Sequence, residues 1–273
     1  MKRWLTMALL AAGVVAPAAA QTCPDKTISK PLRTVFDSAL ASWGPAILMV
    51  ACFVLGLAID VHVDLPGQLV LSAAVWGTLF YVLRDIDAHE RRAVFACLAI
   101  ATAGELFLSL VWGLYAYRLD NIPIFVPPGH AMLLLVGMRL AQSMTRRTAD
   151  AILAGAAAYA LLVAVTGFDT FGLLLLAALG IVSFIMPTHR PLYASTFVLA
   201  LVLELYGTWL GNWKWNHQVP VLGLVTTNPP GMASAFYAVL DALVACTAVI
   251  IARHPKASPE AVASVTPPRF SPR

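Results

Sequence analysis

The sequence predicts an all-α, polytopic membrane helix bundle of about eight transmembrane helices. Three observations carry this. Apolar residues fill 60% of the 273 positions and charged residues only 12%, against roughly 45–50% and about 25% in a soluble domain. The mean hydropathy is +0.79. The apolar residues also fall into long runs, each about the length of helix that crosses ~30 Å of hydrocarbon. Half the usual charge cannot cover a globule with water-facing side chains. That excludes an ordinary soluble enzyme, a disordered chain, a disulfide scaffold and a nucleic-acid binder. The partner this leaves is the membrane; a lipid-soluble small molecule is the expectation attached to the intramembrane acids below.

The first twenty residues read as a signal-like hydrophobic segment. Lys2-Arg3 form a basic start, Leu5 to Val15 an apolar stretch, and Ala18-Ala19-Ala20 a small-residue cleavage site before Gln21. Cys23 has no lipoprotein-type box before it. Eight runs follow, at 43–62, 67–84, 92–117, 129–145, 149–166, 171–187, 191–211 and 230–251. Pro66-Gly67, the charged run Arg84 to Arg92, Pro127-Pro128-Gly129, Arg146-Arg147, Pro187 to Pro191 and Pro229-Pro230-Gly231 divide them. Residues 253–273, rich in proline and basic side chains, read as a disordered tail.

Basic residues set an orientation. Arg84, Arg91, Arg92, Arg146, Arg147, Arg190, Arg253 and Lys256 follow the even-numbered runs, whereas the odd loops hold Arg118 and Lys214. The even loops are therefore expected on the cytoplasmic side, with 118–128 and 212–229 outside. A cleaved signal at Ala20 predicts the reverse. The loop charges outweigh it, because four separate loops agree. The localisation expected is a multi-pass protein of the bacterial inner-membrane type.

The chain also reads as an internal duplication, 43–145 and 149–252. With Glu105 placed on Glu204, both halves carry an acid, then an aromatic–Gly–aromatic-x-aromatic stretch, a proline, Pro-Pro-Gly and a new run. In the first half these are Trp112-Gly113-Leu114-Tyr115-Ala116-Tyr117, Pro123 and Pro127-Pro128-Gly129. In the second they are Trp209, Gly211-Asn212-Trp213-Lys214-Trp215, Pro220 and Pro229-Pro230-Gly231. An even number of spans per half makes the repeats parallel, so both acids and both aromatic stretches face the same side.

Glu105 and Glu204 are the first candidates for chemistry, because a carboxylate inside a membrane is costly and faces the bundle interior. Two such acids on one cavity can donate protons to an apolar substrate; the structural alternative is a hydrogen bond to a neighbouring helix. Tyr115, Tyr117, Trp213 and Trp215 read either as an interfacial aromatic belt or as a ring-lined mouth that stabilises a developing carbocation. Tyr117 lies twelve residues beyond Glu105, or about 18 Å of continuous helix, which predicts that these rings do not touch the acid. Trp112, Tyr206 and Trp209 are expected to lie nearer. His130, at a helix start, reads as an interfacial histidine or as part of the site, and Asn228 as an N-cap before the double proline. Asp241 matches Arg139 in the repeat, which predicts an ion pair between the halves, with a third catalytic acid as the alternative. Asp60, His62 and Asp64 read as loop solvation, with a metal site as the alternative. Cys52, Cys97 and Cys246 sit in apolar runs as small hydrophobes.

The stretch Glu204…Gly207…Gly211-Asn212-Trp213…Pro220…Pro229, and Glu105…Gly113-Leu114-Tyr115-Ala116-Tyr117…Pro123 in the first half, resembles membrane-integral carotenoid-biosynthesis proteins. These are the carotenoid hydratase group and, more loosely, the integral-membrane lycopene cyclases. The resemblance implies acid-initiated hydration or cyclisation at a polyene end, without redox cofactor, with Glu105 and Glu204 as proton donors. The stretch departs from the family pattern in its wealth of tryptophan and in Pro-Pro-Gly-His. Two rivals stand beside this reading: a proton-coupled or small-solute transporter, and a structural or assembly membrane protein whose acids tie helices together.

Overall fold

The computed structural model describes residues 43–253; the signal-like segment, Cys23 and the tail beyond residue 253 lie outside the described residues. Among the described residues eight α-helices run in order: α1 Gly44–Asp60, α2 Leu65–Val82, α3 Ala88–Glu105, α4 Val126–Ser143, α5 Arg146–Thr166, α6 Phe171–Ile185, α7 Arg190–Leu210 and α8 Ala235–Arg253. Two three-residue strands, β1 Tyr115–Tyr117 and β2 Trp213–Trp215, form an antiparallel ribbon. Among the described residues, four segments are long and apolar enough to cross a membrane: Leu65–Asp85, Glu90–Val111, Arg146–Thr166 and Pro187–Leu210. The apolar helices Gly44–Asp60, Phe171–Ile185 and Ala235–Ile250 are shorter.

The helix ends follow from local chemistry. Asp64 caps α2 by accepting from the Gly67 N–H at 3.1 Å, with a proline in the first turn. Thr145 caps α5 through the Thr148 N–H. Prolines open α1, α4 and α7 in the same way. Gly167 and Gly211 end α5 and α7 in the left-handed conformation that glycine adopts without steric cost.

Packing sorts the helices. α4 lies against α7, and α3 against α8; α3 also meets α4, and α7 meets α8. These four make the centre. The α1–α2 and α5–α6 pairs stand outside it. Helix α4 is buried through the continuous run Ala131, Met132, Leu133, Leu134, Leu135, Val136 and Gly137, as a helix enclosed on all sides must be. The outer helices turn apolar side chains outward instead, with Val165 88% and Phe184 82% exposed. Apolar surface of this kind belongs to a lipid-facing helix.

Two boundaries differ from the sequence expectation. The third apolar run does not continue as helix to residue 117. After Glu105 it widens into a π-helical stretch, Leu106–Val111, and Gly113 at φ +72° turns it into β1. The eighth run does not begin at Pro230: residues 231–234 are turns, and α8 starts at Ala235.

Gly137 of α4 faces the Thr196 side chain of α7, and a Cβ there would overlap it. Gly137→Val should therefore lower the unfolding midpoint in detergent, at a cost of about 1–3 kcal/mol. An unchanged midpoint would show that α4 and α7 have room to spare.

Candidate active site

Glu105 ends α3, and the chain then doubles back. In the π stretch the Trp112 N–H reaches the Phe107 carbonyl at 2.7 Å and the Leu114 N–H the Leu108 carbonyl at 2.9 Å. The turn at Gly113 brings β1 across the helix end. Residues two apart in a strand share a face, so Tyr115 and Tyr117 both point inward and Ala116 outward. Both phenol hydroxyls donate to Glu105 Oε2, each at 2.7 Å. This corrects the expected separation of rings and acid: the 18 Å distance holds only for a helix that continues.

The second half builds a similar arrangement from indoles. Gly211, at φ +89°, turns the end of α7 into β2. Trp213 and Trp215 donate their ring N–H groups to Glu204 Oε2 at 2.9 and 3.1 Å. The ribbon pairs Tyr115 with Trp215, Ala116 with Lys214 and Tyr117 with Trp213, with ring centroids 4.6 Å apart for the first pair and 6.2 Å for the last. Two strands thus carry four donors to two acids. Trp213 lies flat over Gly207, where any Cβ would overlap the indole.

Two further side chains complete the site. His130, one turn into α4, places Nε2 2.8 Å from Glu105 Oε1. Its Nδ1 is buried without a partner, so a single proton on Nε2, donated to Glu105, leaves no buried N–H orphaned. Tyr237 of α8 packs against the His130 ring at 5.0 Å, and its hydroxyl lies 3.5 Å from Glu204 Oε1. Burial first, and then the Glu105 carboxylate beside them, push the Tyr115 and Tyr117 phenols well above their ordinary range. Both stay protonated and remain donors.

All eight of these polar groups line one cavity of about 250 Å³. The rest of its wall is mostly apolar, from Phe53, Ile100, Leu108, Leu133, Leu203 and Phe236 among others. The acids are unequal. Glu105 holds three donors at 2.7–2.8 Å. On Glu204, Oε2 takes both indoles, whereas Oε1 has only the long Tyr237 contact. A carboxylate accepts all three donors on Glu105 as they stand; a protonated acid fits best where one oxygen is only weakly engaged, as Glu204 Oε1 is by Tyr237 at 3.5 Å.

Several expected site residues lie elsewhere. Trp112 donates to the Pro220 carbonyl at 2.9 Å and packs edge-on against Phe171. Tyr206 donates to the Val54 carbonyl and stacks on Trp209, which is 79% exposed. None of the three lines the cavity. Asn228 caps no helix; its Oδ1 accepts the Trp215 backbone N–H at 2.9 Å and so holds β2 in place. Asp241 is buried in α8 beside Thr196 and Cys97, outside the cavity lining. It forms no ion pair with Arg139, whose guanidinium lies over the Trp43 ring and reaches Gln142. Asp60 is not solvated: it accepts from Gln68 and Asn212 and faces Arg118 at 3.8 Å. Asp64 caps α2 instead of joining Asp60 at a metal site. Tyr237 is the site residue that sequence reading missed; its one signal was its place one turn before Asp241.

Gly207→Val should force the Trp213 indole off Glu204. The expected outcome is a changed near-UV circular dichroism spectrum and a loss of about 1–3 kcal/mol of stability, the cost of stranding a buried polar group. An unaltered spectrum would mean that the indole does not depend on this close approach.

Compared with known proteins, the chain matches no family model, no curated protein and no solved structure.

Proposed function

We propose that this protein is a multi-pass membrane enzyme that adds a proton to the end of an isoprenoid or carotenoid-like polyene, leading to hydration or cyclisation. The observation that carries the reading is the pair of buried carboxylic acids, unequally supplied with donors, on one mostly apolar cavity. An apolar substrate offers such a wall no hydrogen bonds, only area to bury. Its reactive double bond is the group that an acid can change.

The roles follow from the unequal donors. Glu204 gives its proton to a terminal carbon of the double bond, and a tertiary carbocation forms. The Trp213, Trp215 and Tyr115 faces stand beside the cavity, where ring quadrupoles favour a cation. In hydration, water bonds to the cation and sheds its proton to Glu105. In cyclisation, a neighbouring double bond attacks the cation, and the ring carbon loses a proton to Glu105. Transfer of that proton back to Glu204 restores the starting state. Water is the co-reactant in the first case and none is needed in the second; neither route moves an electron to or from a cofactor.

In this reading the eight helices all span the bilayer as two parallel four-helix repeats. The ribbon register supports the duplication. Gly113 and Gly211 both turn with positive φ, and Ala116 and Lys214, at equivalent places, face each other at the ribbon centre. Exchanging the halves leaves the register unchanged. A proton-coupled transporter is the second reading, and one observation favours it. Asp241 Oδ2 is buried without a partner, four residues along α8 from Tyr237, where a proton path toward the other face would run.

Mass spectrometry of lipids carried by the wild type and by a Glu105→Gln/Glu204→Gln variant separates these readings. The enzyme reading expects a polyene on the variant and its hydrated or cyclised form on the wild type. Glu204→Gln alone should lower turnover by about 10²–10⁴-fold, the usual contribution of a positioned acid. Only phospholipid on both proteins, together with proton flux in liposomes, would favour the transporter. For the topology, cysteines introduced at Leu222 and Arg147 in a cysteine-free background should react with an impermeant thiol reagent from opposite sides. Labelling of both from one side would refute the eight-span arrangement.

A further inference from the structure

Arg139 follows the buried apolar run of α4, where it was expected to pair with Asp241. The fold gives it no acid. The ion pairs among the described residues are Arg118–Asp60, His130–Glu105 and Arg190–Asp150. Arg139 is partly buried. Its Nη1 donates to Gln142 Oε1 at 3.1 Å, and its guanidinium carbon lies 4.5 Å from the centre of the Trp43 ring. Its Nε is buried and has no acceptor. The Nε–H and the neighbouring Nη2–H lie along one edge of the guanidinium. That edge can hold a carboxylate or a phosphate through two parallel hydrogen bonds. Among the described residues nothing accepts from it.

The surroundings indicate what supplies the missing acceptor. Trp43 immediately precedes α1, and α1 packs on α4. Trp43, Ile47, Val50 and Val54 are 46%, 64%, 41% and 48% exposed. Steps of four, three and four residues put them on one face of the helix. An uncovered apolar stripe therefore starts at the unpaired guanidinium and runs away from it along α1. Arg146 and Arg147, both exposed, follow the end of α4 and take part in none of those ion pairs. They add positive charge near the same place. A free anion would match the charge but not the stripe. A phosphate carried on an acyl chain matches both.

We infer that Arg139 and Trp43 hold the phosphate of an anionic phospholipid, with one acyl chain laid along Ile47, Val50 and Val54. An anionic headgroup brings the counter-charge that Arg139 lacks, whereas the phosphate of a zwitterionic headgroup already faces its own ammonium. Neither Arg139 nor Trp43 lines the acid cavity. The lipid is therefore a bound neighbour and not the substrate, and its site stands whether the cavity belongs to an enzyme or to a transporter.

Native mass spectrometry of the full chain in detergent reads the site. The probes are phosphatidylglycerol and phosphatidylcholine with identical acyl chains. The wild type is expected to hold phosphatidylglycerol about tenfold or more tightly, the usual weight of a hydrogen bond to a charged group. Arg139→Gln should abolish that preference. Arg92→Gln removes an equal charge from an exposed position on α3 and should keep it. Equal affinity of the wild type for the two lipids would overturn the inference, and this comparison needs no variant to fold. Equal loss of preference in both variants would overturn it too, because the preference would then belong to the summed positive charge and not to Arg139. Inorganic phosphate, compared with chloride at the same ionic strength, should not displace the lipid. Displacement beyond the chloride control would mean a site for free phosphate, and the lipid assignment would fall.

Discussion

Everything around the centre of this molecule answers to two carboxyl groups removed from water. Glu105 and Glu204 are 7% and 6% exposed, and a buried acid without partners would cost more than most side-chain contacts return. The chain satisfies them with aromatic donors rather than with lysine or arginine. Phenols and indoles bring a polar atom on an apolar body, so the donors arrive without adding charge to the cavity. Among the residues that line the cavity, Lys and Arg are absent. That is the arrangement an acid needs if its proton is to go to a hydrocarbon.

The ribbon is the device that delivers the donors. Six residues of strand are too little to stand alone. The pair is held from outside instead. Asn228 accepts from the Trp215 backbone, Asn216 donates to the Gly113 carbonyl, and the Ser109 hydroxyl donates to the Tyr115 carbonyl. The buried network of Asp60, Gln68, Asn212 and Arg118 ties the loop after α1 to the residues that flank both strands. Arg118 follows β1 and Asn212 precedes β2, so the network clamps the ribbon at one end. A polar cluster at the end of α1, the start of α2 and the flanks of both strands thereby fixes where four aromatic rings meet the two acids.

Much of the helix plan was legible in the sequence. The eight apolar runs correspond to the eight described helices because Pro, Gly and charged residues interrupt them where no continuous helix is tolerated. The positions that the sequence misplaced share one cause. Distances from each acid were measured along an ideal helix, which made Trp112, Tyr206 and Trp209 near and Tyr115, Tyr117, Trp213 and Trp215 far. Gly113 and Gly211 invert that order. A positive φ at each sends the following residues back toward the helix they have just left. Trp209 stays on the outer face of α7, and Trp112 turns to Phe171. The aromatic pattern singled out Tyr115, Tyr117, Trp213 and Trp215; it was silent on their direction. Arg139 and Asp241 show the converse error, since equal depth expected from a sequence match does not put two side chains on facing helix surfaces.

What the sequence determined by itself is the class of the molecule, its helices and its pair of costly acids. Those depend on composition, on period and on residue types whose removal from water must be compensated wherever they lie. The tertiary structure alone decided that the two acids share one cavity, that His130 and Tyr237 join them, and that their hydrogen bonds are unequal. These are contacts between elements far apart in the chain, set by how α4 and α8 cross α3 and α7 and by the register of one short ribbon. Periodicity in a single sequence carries the face of a helix but not the identity of what lies opposite, and the chemistry of this site is written in what lies opposite.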